Sequence, residues 1–168
     1  MNIKKFLEYS PKIHPKAKIH STAIIIGNVE IEEDVSIWPY AVIRGDVDRI
    51  KISKKSNIQD NCVIHPNLNK PVIIGECVTV GHSAVIHGSI IGSYSLIGMN
   101  STIIDCEVGN FCLVAGGCVL TPGTKIPSGS LVAGVPGKII RALTDTEIEN
   151  LKRSADEYFK LAQMYEEF

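Results

Sequence analysis

Isoleucine recurs along this chain with a fixed spacing. Ile13, Ile19, Ile25, Ile31, Ile37 and Ile43 stand six residues apart without interruption. The phase breaks after Ile43 and resumes at Ile52, Ile58 and Ile64; a second break, "HPNLNKPV", precedes Ile74, Val80 and Ile86. Ile91, Ile97, Ile103, Val108, Val114, Leu120, Ile126 and Val132 follow at steps of five or six. A period of six matches neither the 3.6 of a helix nor the alternation of an ordinary strand.

It is the signature of a parallel β-helix of hexapeptide repeats, in which each hexad makes one short strand and one corner. Three hexads close a triangular coil, and successive coils stack at roughly 4.8 Å. The pattern therefore predicts a mainly β fold, a triangular prism of about five coils or more. The fourth residue after each aliphatic is expected inward and small, and it reads Ala17, Ala23, Val29, Val35, Ala41 and Val47, then Ser56, Cys62, Val78, Ala84, Ser95 and Ser101. Cys112, Cys118, Thr124 and Ser130 continue that column, whereas Ile90 and Glu107 fit it poorly. The two breaks are expected to bulge out as loops.

Residues 1–143 are assigned to the β-helix and 144–168 to a C-terminal helix packed along or across it, within one domain. The open end of such a stack needs cover, and the segment after "GVPGK" is the candidate. "TDTE" at Thr144 to Glu147 is a capping box, and Ile148, Leu151, Ala155, Tyr158, Ala162 and Tyr165 share one face of a helix reaching about residue 166.

Charge and cysteine content narrow the setting. A formal net charge of −1 gives no electrostatic reason to bind nucleic acid or an anionic membrane. No apolar run approaches the roughly 20 residues that span a bilayer, and the N-terminus lacks the apolar centre of a secretory signal. Five cysteines, without a C-x-x-C pair, point away from a disulfide framework or a zinc ribbon. Cys62, Cys112 and Cys118 fall in the inward column and serve as small buried hydrophobes. The expected location is the cytoplasm.

Column counting gives three of the five histidines a shared meaning. Ile43, Ile64, Ile86 and Ile103 lie on one face, Ile52, Ile74, Ile91 and Val108 on a second, and Ile58, Val80, Ile97 and Val114 on a third. The residue after each aliphatic on the first face is Arg44, His65, His87 and Ile104, so Arg44, His65 and His87 form an outward ladder. His82 lies around a corner, in the column of Asp60. Side chains on either side of a convex corner diverge, so three ligands from one chain would struggle to meet at a metal, whereas His65 and His87 of one subunit could meet His82 of the next. A ring of three subunits is the natural closure. Three imidazoles with a fourth position open are the ligand set of a catalytic zinc site. His14 and His20 share none of these columns and are assigned to the surface.

The ordered runs "WPYAVIRGDVDRIKI", "SNIQDNCVIH", "VTVGHSAVIHG" and "LVAGVPGKIIR" resemble the γ-class carbonic anhydrases over essentially the whole chain. The resemblance implies a left-handed β-helix homotrimer with metal at each subunit interface. It implies His65, His82 and His87 as ligands of zinc, with iron or cobalt as other occupants. It implies an ion pair of Arg44 with Asp46 across the interface, with Arg44 also helping to hold bicarbonate. Gln59 would orient hydroxide or substrate, Asp60 would support His82, and Asn57 and Tyr158 would line the pocket. The implied reaction is the reversible hydration of carbon dioxide. Two departures stand out: Val47 replaces a glutamate of prototype members, and "PNLNKP" after His65 contains no acid where those members carry a proton-shuttling glutamate. The alternatives are a metal-hydroxide hydrolase acting on acyl-CoA thioesters and a non-catalytic metal-binding trimer. A hexapeptide acyltransferase is less favoured, because such enzymes typically use a single histidine.

Overall fold

Short strands two or three residues long alternate with corners, as at Asn57–Ile58, Thr79–Val80 and Leu96–Ile97. In the computed structural model, which describes residues 2–165 and Phe168, about seven turns of parallel β-solenoid carry one C-terminal helix. Register fixes the three columns. Ile43 pairs with Ile64, Ile64 with Ile86 and Ile86 with Ile103 on the first face. Ile52, Ile74, Ile91 and Val108 follow one another on the second, and Ile58, Val80, Ile97 and Val114 on the third.

All of these aliphatics are buried. Each contributes about 1.5–3 kcal/mol relative to exposure, and a one-residue slip would turn a whole column to solvent. The six-residue phase is thus held by burial on every coil. The first two faces merge into a 12-stranded sheet because Ile24–Ile31 and Val42–Ile52 run unbroken around a corner; the third face is an 8-stranded sheet.

Corners are made by residues in the left-handed region, among them Asn61, Ser83 and Asn100, with φ near +60°. Hydrogen bonds from one coil to the next hold them there: Asn61 N donates to Pro39 O, Ser83 N to Asp60 O and Asn100 N to His82 O, at 2.8–3.1 Å. Asp60 and His82 each precede such a corner residue, so both project from the same edge of the prism.

Three expectations need correction. Val47 is not inward but 45% exposed, and Ile50 takes its place, pairing with Val29 below and Val72 above. The first break is no loop: it stays within the strand Val42–Ile52, and a register shift opposite Gly27/Val29 absorbs the extra residues as a bulge. Only the second break leaves the wall, as a turn closed by Asn67 and Lys70. The helix, finally, does not cover the end of the stack. The strand Gly137–Ala142 folds back antiparallel on Ser130–Gly134 and takes the last edge of the third face. At the five-residue steps Ser89 and Cys106 occupy the inward column, leaving Ile90 and Glu107 outside.

The helix Asp145–Met164 packs on the third face against Ser36–Ile37 and Asn57–Ile58. Thr144 and Glu147 form the expected capping box, and Leu151, Ala155 and Ala162 are buried. The helix ends at Met164; its expected limit, residue 166, lies outside the described residues. Trp38 meets Tyr158 edge-on at 5.6 Å between ring centroids and Tyr165 at 5.4 Å. All five cysteines are free and buried. Burial pushes the Cys62 thiol up to about 12, so it is inert as a nucleophile.

Candidate metal centre

His65 and His87 close the strands Val63–His65 and Val85–His87 and pair directly across adjacent coils. Strand alternation turns both outward when Ile64 and Ile86 point in, and their ring centroids lie 5.2 Å apart. Arg44 follows Ile43 on the same face. Its Nη1 donates to Asp46 Oδ2, and Asp46 Oδ1 lies 2.9 Å from His65 Nε2. Arg44 and Asp46, the residues expected to pair across an interface, are in contact within one chain. Burial raises the pKa of the Asp46 carboxyl, but hydrogen bonds from Arg44 and His65 outweigh it and leave that pKa below the usual range.

His82 occupies the third-face corner. Its Nδ1 lies 2.8 Å from Asp60 Oδ2, so Nε2 is the nitrogen turned away from that partner. Asn57 and Gln59, both buried, form a polar chain beside it: Gln59 Nε2 donates to Asn57 Oδ1 at 3.1 Å and Asn57 Nδ2 to Thr79 Oγ1 at 3.0 Å. Thr79 continues to Ser154 on the helix, hydroxyl to hydroxyl at 3.3 Å. Gln59, His82 and Tyr158 line a cleft of about 420 Å³ whose other walls include Leu96, Met99 and Leu113. Burial, with a contribution from Asp60, raises the pKa of the Tyr158 hydroxyl, which stays a proton donor at neutral pH.

His87 has a partner that sequence reasoning missed. Its Nδ1 is buried and has no hydrogen-bond partner among the described residues, where the nearest carboxylate oxygen is Asp105 Oδ1 at 3.7 Å. Asp105 is held by Lys70 Nζ at 2.9 Å and Asn67 Nδ2 at 3.2 Å. The Lys70 hydrogen bond leads in lowering the pKa of its carboxyl, against the effect of burial. Asp105 stands two residues after Ile103, one column beyond the His65–His87 ladder, so extending the column count by one position would have found it. Two of the candidate ligands are thus hydrogen-bonded to a carboxylate, His65 to Asp46 and His82 to Asp60, and His87 has the carboxylate of Asp105 nearby without a hydrogen bond to it. Carboxylates in that position orient metal-binding imidazoles and fix their tautomers.

The nine residues fall into two groups. Arg44, Asp46, His65 and His87 share the first face; Asn57, Gln59, Asp60, His82 and Tyr158 gather at the third face and its corner. Among the described residues, no three His, Cys, Asp or Glu side chains are arranged to hold a metal within one chain. The donor chemistry fits a metal nonetheless, since imidazole nitrogens suit zinc, iron and cobalt. His14 and His20 lie in neither group; among the described residues their rings hydrogen-bond within their own turns, at Lys16 N and Thr22.

A parallel β-solenoid with a six-residue period and a histidine ladder on its wall defines a hexapeptide-repeat protein, and the family described as bacterial transferase hexapeptide (six repeats) matches residues 10–45. The chain is 44% identical to a probable carbonic anhydrase of Methanocaldococcus jannaschii, covering 93% of this chain and 99% of that one. It is 40% identical to the mitochondrial gamma carbonic anhydrase 2 of Arabidopsis thaliana, over 93% of this chain and 59% of that longer protein. A solved structure of a putative acetyltransferase from Bacillus cereus matches with a TM-score of 0.95 at 37% identity, covering 97% of this chain and 95% of the other. The chain belongs to the γ-carbonic anhydrase family.

Proposed function

We propose that this protein hydrates carbon dioxide reversibly to bicarbonate at a metal centre shared between copies of the chain in a homotrimer. His65 and His87 of one copy and His82 of the next hold the metal, zinc in the first instance, with iron or cobalt as alternatives. The observation that carries this reading is the division of the candidate residues into two faces, each histidine with a carboxylate nearby, inside a family named for this reaction. The setting is the cytoplasm, where five free buried cysteines are at home.

When bound, such a metal supplies Lewis acidity and makes hydroxide available near neutral pH. The rest is the work of the side chains. Asp46, Asp60 and Asp105 fix the three imidazoles. Gln59 donates through Nε2 to Asn57, which leaves Oε1 to accept a proton-bearing oxygen in the cleft and so orient the nucleophile. Arg44 supplies a fixed positive charge on the His65 ladder, suited to a bicarbonate oxygen. The turn after His65 offers no acid for proton export; its Lys70 is held by Asp105 instead.

A second reading has its own support. The cleft of about 420 Å³ beside His82, walled by Leu96, Met99 and Leu113, exceeds what carbon dioxide needs and suits an acyl group. A hydrolase acting on acyl-CoA thioesters would use the same three histidines. Acyl transfer, the activity in the name of the Bacillus cereus relative, ranks below both because it needs no ligand trio.

Stopped-flow hydration of carbon dioxide by anaerobically purified protein, with metal quantified in the same sample, tests the proposal. Rapid hydration that tracks metal content is expected. Full metal occupancy without hydration would overturn the anhydrase reading in favour of the hydrolase or a non-catalytic metal-binding trimer, and acyl-CoA hydrolysis would separate those two.

A further inference from the structure

The buried edge of His87 faces a small, rigid polar cluster. Asp105 Oδ1 lies 3.7 Å from His87 Nδ1, and the other carboxylate oxygen of Asp105 is taken by Lys70 and Asn67. We propose that Asp105 is the positioning residue of His87, clamped by Lys70 and Asn67 so that His87 carries its proton on Nδ1 and presents Nε2 outward as a ligating nitrogen. This rests on the reading of His87 as a metal ligand.

Several independent features converge on it. His87 Nδ1 is the buried side-chain polar atom without a hydrogen-bond partner among the described residues. An unpaired buried ring nitrogen is costly, and a carboxylate is the acceptor that removes the cost when the nitrogen carries a proton. The backbone already locks the two residues together, because Asp105 N donates to His87 O at 2.8 Å. Asp105 itself sits at φ +51°, a left-handed corner that aims its side chain back toward the His87 coil.

Glycine at position 88 makes the room. A Cβ there would fall 2.4 Å from Asp105 Oδ1 and 3.1 Å from Asn67 Cβ, so any side chain would expel the carboxylate from beneath His87. The clamp is also stiff: Asn67 and Lys70 exchange backbone hydrogen bonds at 2.9 and 3.0 Å, closing the turn just after His65. The segment that follows one ligand thus grips the carboxylate that orients the other. In this chain the turn supports the ligand set from behind.

The test compares wild type with Asp105→Ala, Asp105→Asn and Lys70→Met in the full-length assembled protein. Zinc affinity is read by competition with a chromophoric chelator, the His87 tautomer by long-range 1H–15N correlation in metal-free protein, and the fold by circular dichroism. In wild type, His87 carries its proton on Nδ1. Asp105→Ala mixes the tautomers and weakens zinc about 10–100-fold. Asp105→Asn keeps an amide oxygen as acceptor and restores part of the loss, and Lys70→Met shifts both readouts in the direction of Asp105→Ala by less. An Asp105→Ala protein with the wild-type tautomer and unchanged zinc affinity overturns the proposal. Should that variant not fold, Asp105→Asn and Lys70→Met decide it by the same readouts. A wild type that binds no zinc refutes the metal reading separately, and there an unshifted tautomer on removing the carboxylate still overturns the role of Asp105.

Discussion

At the scale of single residues, the outward histidines differ in what holds them. His65 is tied to Asp46 and through it to Arg44, whereas His82 stands at an exposed corner with Asp60 alone. Removing the His82 imidazole therefore leaves the buried columns untouched. His82→Ala is expected to drop bound metal from about one per chain to near zero, with the β-sheet circular dichroism of wild type. Metal analysis by mass spectrometry on the folded variant checks this, and a metal-replete His82→Ala protein would remove His82 from the ligand set. The ladder and the corner histidine were legible because burial of Ile64, Ile86 and Val80 fixes which neighbours face out. The place of Asp105, one column beyond the ladder, could be counted in the same way, but its approach to His87 could not, since that depends on a left-handed corner and on space left by Gly88, and neither follows from hydrophobic phase.

At the scale of elements, the period of six announces the strands, but it cannot say how an irregularity is absorbed. Two breaks of similar appearance resolved differently. "HPNLNKPV" holds a turn with Leu68 69% exposed, while the residues after Ile43 stay in the wall as a bulge that brings Ile50 inward and turns Val47 out. Backbone pairing with the neighbouring strand Ile24–Ile31 decided between them, and that is a property of two segments together. The helix start, by contrast, was local enough to read. Thr144 accepts from Glu147 N, and the Glu147 carboxylate receives Thr144 N and the Arg141 guanidinium. Arg141, followed by the Thr144 hydrogen bonds, brings the Glu147 carboxyl down to about 2. A depressed folded pKa stabilises only where the unfolded carboxyl is ionised, so the contribution is complete above about pH 4.5 and fades as pH falls toward 2. Glu147→Gln is expected to lower the melting temperature at pH 7, and the gap from wild type should close over that acidic window. Thermal melts of both proteins from pH 7 to pH 2 check this; a gap independent of pH would assign the effect to shape alone.

At the scale of the whole molecule, the two groups of site residues stand on different faces of a convex prism, and the proposed function has assembly unite them. His65 and His87 belong to one face, His82 to a corner beyond it, and no three-ligand cluster forms within the described residues of one chain. This gives assembly a quantitative signature. His82→Ala and His87→Ala chains, each metal-free alone, are unfolded together in equal amounts and refolded. A shared site is restored when the chain supplying His65 and His87 is the His82→Ala variant and its neighbour is the His87→Ala variant. With random mixing in a cyclic trimer, about a quarter of the sites meet both conditions. Bound metal should therefore recover to about a quarter of wild type, and any hydration of carbon dioxide should return in proportion. Sites built within single chains would recover nothing, because every chain in the mixture lacks one ligand.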